Sequence, residues 1–185
     1  MIDSLHARLR DATQAAHEAL ERDLDWEARV ATLPGYRALL VRLRGFHAAY
    51  EPAIAAALAD AAFFDPRRRL PALDADLQAL DRATPDTVPA PTTPRLDGAG
   101  AALGALYVLE GSTLGGAVIG RHVARLHGEG VPLAYYAGRG RATGPLWREF
   151  RERLDGLPEA EAAAAFAAGI ATFEAMRGWL TMSEG

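Results

Sequence analysis

The 185-residue chain contains no cysteine, which excludes a disulfide framework, a thiolate nucleophile and any zinc or iron–sulfur centre built on sulfur. It also lacks a strong excess of either charge. The net charge of −4 is mild and the signs are interleaved, without the basic face that nucleic acid requires. No alternating apolar and polar run argues for a strand, and no internal repeat is present. The opening residues, Met1-Ile2-Asp3-Ser4-Leu5-His6, lack the basic and then apolar order of a secretory signal, so a cytoplasmic protein is expected. One segment, Gly98 to Gly120, holds the single charge Glu110 over a length that would cross a bilayer. Its seven glycines, central glutamate and missing aromatic belts favour a buried helix, with no membrane partner expected.

What is present is ordinary soluble composition, half hydrophobic and 24% charged, in a length suited to one domain spanning 1–185 with its own core. The hydrophobic period is helical almost throughout, which predicts an all-α fold. Leu5, Leu9, Ala12, Ala16 and Leu20 mark a first amphipathic helix, with Asp3 or Ser4 available as its cap. A second opens at Pro34 and runs to Tyr50, where Pro52 is expected to kink or interrupt it. Shorter helices follow Pro66 and Pro71. Pro85, Pro89, Pro91 and Pro94 then predict a stiff, extended loop within the domain. After the glycine-rich helix, a loop is expected from Gly138 to Gly144, then a helix through Trp147, Phe150 and Leu154, and a last helix from Pro158 to about Leu180.

Two constellations stand out against this background. The run from Tyr107 to Gly120 carries Gly111, Gly115, Gly116 and Gly120 inside a helical pattern. Helix-interior glycine costs up to about 1 kcal/mol against alanine, so Gly111, Gly115 and Gly116 together give up roughly 3 kcal/mol in a chain rich in alanine. The backbone is therefore bare for a reason: another helix, or a flat ligand, packs close to it. On the first helix, Arg10 and His17 fall within about 20° of each other and roughly 10 Å apart, at the edge of the apolar stripe. A histidine and a cation so placed suit a planar metallated ligand with a negatively charged edge.

Leu9-Arg10-Asp11-Ala12-Thr13-Gln14-Ala15-Ala16-His17 resembles the proximal helix of the haem oxygenase family, and Tyr107-Val108-Leu109-Glu110-Gly111-Ser112-Thr113-Leu114-Gly115-Gly116 resembles its distal helix. The order and spacing of helices are similar along essentially the whole chain, most of all to the bacterial enzymes that supply biliverdin to phytochromes. The resemblance implies a single-domain all-α bundle with haem between a proximal helix and a kinked distal helix. It implies that His17 is the axial ligand of haem iron through a neutral imidazole. Arg10 and Arg151 then grip the haem propionates through the guanidinium fork, Tyr107 adds a hydroxyl near them, and Phe166 and Phe173, with Gly169 between, line the macrocycle. Gly111, Ser112, Gly115 and Gly116 form the oxygen-activating wall.

Many members of the family carry an aspartate directly after the first distal glycine, where this chain has Ser112. A serine hydroxyl donates and accepts but carries no charge, so proton delivery requires other groups or water. The bacterial subgroup shares the feature. The resemblance further implies haem b as both cofactor and substrate, O2, electrons from an external reductase or ferredoxin, and release of biliverdin, CO and Fe2+, with a bacteriophytochrome as the acceptor of the pigment. Residues Gly111 to Gly120 include no His, Lys or Arg to act as a strong distal acid. Two other readings stand beside this one. A non-haem enzyme of the same fold would need a metal cluster recruited from Glu18, Glu21, His47, Glu51 or Glu110, and a non-catalytic haem-binding protein would need only the pocket.

Overall fold

The computed structural model describes residues 4–81 and 90–182. Among these residues the regular elements are all helical: α1 (Leu5–Leu24), α2 (Trp26–Val30), α3 (Leu33–Leu58), α4 (Ala61–Phe64), α5 (Leu70–Asp81), α6 (Gly98–His127), α7 (Thr143–Asp155) and α8 (Glu159–Thr181), with 3-10 turns at Asp65–Arg67 and Gly140–Ala142.

Local chemistry sets the boundaries. The Ser4 hydroxyl accepts from the Ala7 amide at 3.2 Å and caps α1; Asp3, the alternative cap, lies outside the described residues. Asp25 adopts a left-handed conformation, φ 43°, and turns the chain from α1 into α2, a short helix the sequence pattern does not announce. Thr32 caps α3 by accepting from Gly35 at 3.2 Å, with Pro34 in the first turn. Contrary to the expectation of an interruption at Pro52, α3 continues to Leu58. Pro52 itself is exposed while Tyr50 and Ile54 on either side are buried. Water can therefore satisfy the carbonyl left without its amide, while core packing holds the helix together. Pro85 and Pro89 lie outside the described residues; Pro91 and Pro94 sit in an irregular stretch leading into α6. The expected loop after α6 ends earlier than Gly144, because α7 begins at Thr143.

The centre of the fold is α8, which packs along both α1 and α6, while α3 packs against both α6 and α5. Leu9, Leu40, Phe46, Ile54, Leu103 and Phe150 are fully buried where these helices meet. A carboxylate from α8 also holds the start of α6: Glu161 accepts from the Gly100 amide at 2.7 Å, at the positive end of the helix dipole. The 30-residue α6 is long and apolar enough to cross a membrane by length and composition, and more than half of its most apolar stretch is buried inside this protein.

Candidate active site

A cavity of about 950 Å³ opens between α1 and the second half of α6, with α3, α8 and the segment around Tyr135 closing it. That volume lies at the upper end of the roughly 300–1,000 Å³ typical of small-molecule and cofactor sites. Of the residues singled out by sequence, Arg10, His17, Tyr107, Gly111, Ser112, Gly115, Gly116 and Phe173 all line it. Helical period explains why α1 contributes a row: Arg10, Thr13 or Gln14, His17 and Glu21 recur on one face every three to four residues.

His17 is half-exposed and stands edge-on to Phe173, ring centroids 5.2 Å apart, with Nε2 3.4 Å from a Glu21 carboxylate oxygen. Its ring thus sits at the cavity wall between Phe173 of α8 and Glu21 of its own helix. Arg10 is 66% exposed and bonds its neighbour Asp11 at 3.2 Å, a contact too exposed to fix it energetically. At this end of the cavity Tyr107 is half-buried, its phenol kept neutral by burial and interacting with Thr13. The His6 ring packs edge-on against Tyr107 and Trp147, at 6.0 and 5.5 Å.

Arg151 is exposed on α7, one residue beyond the buried Phe150, and does not line the cavity. It nevertheless belongs to the same end. Burial and then the Arg151 charge lower the pKa of His6; Asp155 opposes them, and Arg10 adds a smaller lowering pull. Two guanidiniums, a phenol and an imidazole are therefore gathered around one rim. Phe166 lies elsewhere. It shares a face of α8 with Phe173, two turns away, but sits under the Arg8 guanidinium at 5.3 Å, where Arg8 pairs with Glu159 at 2.7 Å. The cavity instead continues toward Met176 and Leu180. A Cβ on Gly169 would meet Thr13 and Leu9 at 3.0 and 3.1 Å, so that glycine serves the α1–α8 crossing.

The glycines of α6 divide by position. Gly104 lies so close to α8 that a Cβ there would collide with the Ala165 carbonyl. At Gly111 and Gly115 a Cβ would meet nothing within 4 Å, and both face the cavity. Gly116 differs from its neighbour, since a Cβ there would press on Tyr136 at 3.1 Å. The sequence pattern treats Gly115 and Gly116 alike; the structure assigns the open wall to Gly111 and Gly115 and gives Gly116 a packing role as well. Leu114 and Val118 are exposed at the cavity mouth. The Ser112 hydroxyl donates to the Leu109 carbonyl at 2.7 Å and also interacts with the Tyr135 phenol.

Glu110 points away from this wall. Its carboxylate is buried and pairs with Arg139 at 2.7 Å, and Arg139 also donates to the Arg67 carbonyl at 2.6 Å. Burial raises the Glu110 pKa, while the guanidiniums of Arg139, Arg67 and Arg69 oppose the rise. His47 and Glu51 pair with each other inside the bundle at 2.9 Å. Glu18 and Glu21 stay on α1, so the five groups a non-haem metal would need are spread over separate places. Among the described residues no three His, Cys, Asp or Glu side chains converge on a metal position. Sequence reasoning missed His6, Tyr135 and Tyr136 as wall residues. The two tyrosines come from the segment between α6 and α7, whose course no periodicity reveals.

The family model described as heme oxygenase matches residues 3–181. A curated relative from Xanthomonas campestris pv. campestris (strain 8004), named heme oxygenase, is 36% identical over 110 residues; this match covers 60% of the present chain and only 63% of the relative's length. Among solved structures, the NO- and CO-bound heme oxygenase from Neisseria meningitidis superimposes with a TM-score of 0.74 at 22% identity, over 97% of this chain and 91% of that one. Heme oxygenase from Leptospira interrogans gives 0.75 at 18% identity, over 97% and 99% of the two chains. At such identities these two likenesses speak for the fold.

Proposed function

This chain belongs to the haem oxygenase family, and on that premise we propose that it cleaves haem oxidatively to biliverdin, CO and Fe2+, acting as one cytoplasmic domain. O2 and electrons from a separate reductase or ferredoxin are consumed, and the pigment is available to a phytochrome. The observation that carries the reading is the shared cavity: an imidazole, His17, and two helix positions bare of side chain, Gly111 and Gly115, line the same space. A flat ring needs that pairing of a nitrogen ligand with a wall stripped of Cβ atoms.

Bound haem supplies the iron that activates O2 and the ring that is cut. The protein's own share is binding and direction. His17 offers a neutral imidazole nitrogen to the iron, and Phe173 holds that ring edge-on. Arg10 and Tyr107, with Arg151 beside them, orient the propionates toward one rim. Gly111 and Gly115 let the helix backbone come close to the macrocycle. The α6 wall presents hydroxyls but no cationic acid, so oxygen is directed by shape and by neutral hydrogen-bonding groups.

The test is a hemin titration followed by one reductive turnover under air with product analysis. A Soret band with conversion to a single biliverdin isomer is expected. A stable haem complex that yields no biliverdin on reduction supports a haem carrier, and no Soret band at all removes haem from the account.

A further inference from the structure

One histidine of the rim has no place in the reaction as described. His6 lies one turn before Arg10 on α1 and lines the same cavity. Its backbone amide donates to Asp155 Oδ1 on α7 at 2.8 Å, which fixes the residue at the positive end of its helix. Its ring is held edge-on by Tyr107 of α6 and Trp147 of α7. Both ring contacts are aromatic, so among the described residues neither imidazole nitrogen is committed to a hydrogen bond. We infer that His6 is a proton-coupled part of the carboxylate rim: it stands neutral in the empty cavity and takes a proton from solvent when the propionates of haem settle on Arg10 and Arg151, so that a third positive charge holds the ligand.

The charges around the ring set this direction. Arg10 and Asp11 of α1, Arg151 and Asp155 of α7 and the Tyr107 phenol of α6 are the titratable groups that surround it, while Arg8 turns to α8 and pairs with Glu159. Burial and the two guanidiniums favour the neutral imidazole against the pull of Asp155, whose Oδ1 already accepts the His6 amide. Burial keeps the phenol neutral as well. A ligand with two carboxylates reverses the balance. Each carboxylate that pairs with a guanidinium cancels a charge that repels the proton on His6 and brings one that attracts it. Arg10 is available for such a pair, because its contact with Asp11 at 3.2 Å joins two largely exposed side chains. One N–H bond forms, with its proton drawn from bulk water at the open rim.

Packing alone does not call for this residue. A phenylalanine would fill the space between Tyr107 and Trp147 without placing a titratable ring beside two guanidiniums. The imidazole gains from its polarity when an anion reaches the rim, and the cavity opens there. The sign follows from linkage: a histidine pKa that is higher in the loaded protein than in the empty one makes binding tightest at low pH and weaker as pH rises through the loaded value. Because the guanidiniums are exposed, the coupling is modest and is screened by salt.

The inference rests on the haem oxygenase reading, and its test separates the two. Metal-free protoporphyrin IX carries both propionates but has no iron for His17, so it isolates the rim. In the full chain, NMR titration of the His6 ring should give a pKa below the ordinary 6.5 without ligand and a higher one with protoporphyrin IX bound. The dimethyl ester of the same porphyrin should leave it where it was. Calorimetry in buffers of different ionisation heat should register net proton uptake, and protoporphyrin IX should bind several-fold tighter at about pH 6 than at about pH 8, with a smaller difference at high salt. His6→Gln should still bind it but lose most of that pH dependence. If the metal-free ring binds too weakly, gallium protoporphyrin, also diamagnetic, carries the same titration. An unmoved His6 titration in the porphyrin-loaded wild type overturns the coupling, and leaves the enzyme reading intact where hemin is still converted to biliverdin. A protein that takes up neither these porphyrins nor hemin overturns both.

Discussion

In the first half of α6, Gly100 and Gly104 lie under α8, and a methyl group on either would strike the backbone of Glu161 or Ala165. In the second half, Gly111 and Gly115 meet nothing within 4 Å and look into the cavity. Both halves surrender helix propensity, but Gly100 and Gly104 recover it through protein packing while Gly111 and Gly115 do not. The two regions teach that a glycine's cost inside a helix does not reveal its purpose; what the missing Cβ would have met does. At Gly104 that is a carbonyl, so the residue belongs to the core. At Gly115 it is empty space large enough for a ligand, so the residue belongs to the site. Gly116 stands on the boundary, lining the cavity with Tyr136 against its backbone.

The largest effect should come from breaking the packed half. Gly104→Leu forces a side chain into the Ala165 backbone, and overpacking of a tight core costs about 1–3 kcal/mol or more. Chemical denaturation should show a loss at or beyond the top of that range, or no folded protein at all. Gly115→Leu provides the opposite case. With no neighbour to displace, it should unfold within about 0.5 kcal/mol of wild type, or later, since glycine is the poorer helix former by up to about 1 kcal/mol. Yet its single-turnover biliverdin yield should drop sharply, because the side chain occupies the space where the ring and oxygen must sit. Wild-type yield in Gly115→Leu would return both halves to a common packing role.

A smaller effect sharpens where the open half ends. Arg10 and Arg151 flank the His6 and Tyr107 rim, and charge-assisted contacts are worth about 1.5–3 kcal/mol when partly buried, less when exposed. Replacing both with alanine should weaken hemin binding several-fold and mix the biliverdin isomers, as read by chromatography of the product. A pH effect should be smaller still. The folded-state pKa of His6 is lowered, chiefly by burial and by Arg151, so the unfolded chain binds its proton more readily. Stability should therefore be full above the ordinary histidine value of 6.5 and decline as pH falls below it. His6→Gln should flatten that decline in thermal unfolding measured between pH 7.5 and 5.

Much of this was legible in the chain. The 3.6-residue period carries the helices, and it places Arg10 and His17 on one face because both sit on a single element. The glycine run announces a bare backbone for the same reason. Legibility stops where position depends on a second element. Gly115 and Gly116 are neighbours in sequence, and only the course of the 131–138 segment gives one of them Tyr136 as a partner. Phe166 and Phe173 share a face of α8, but the crossing with α1 puts Arg8 over the first and His17 over the second. His47 and Glu51, four apart, are readable as a pair; Tyr135, which joins them to the cavity, is 88 residues from His47 and is not.

The account stands most directly on His17. In a hemin titration of His17→Ala, the protein should retain its helical fold but lose the wild-type Soret spectrum, with partial recovery on adding imidazole. A spectrum and affinity identical to wild type would contradict it, and would move the iron away from the cavity face of α1.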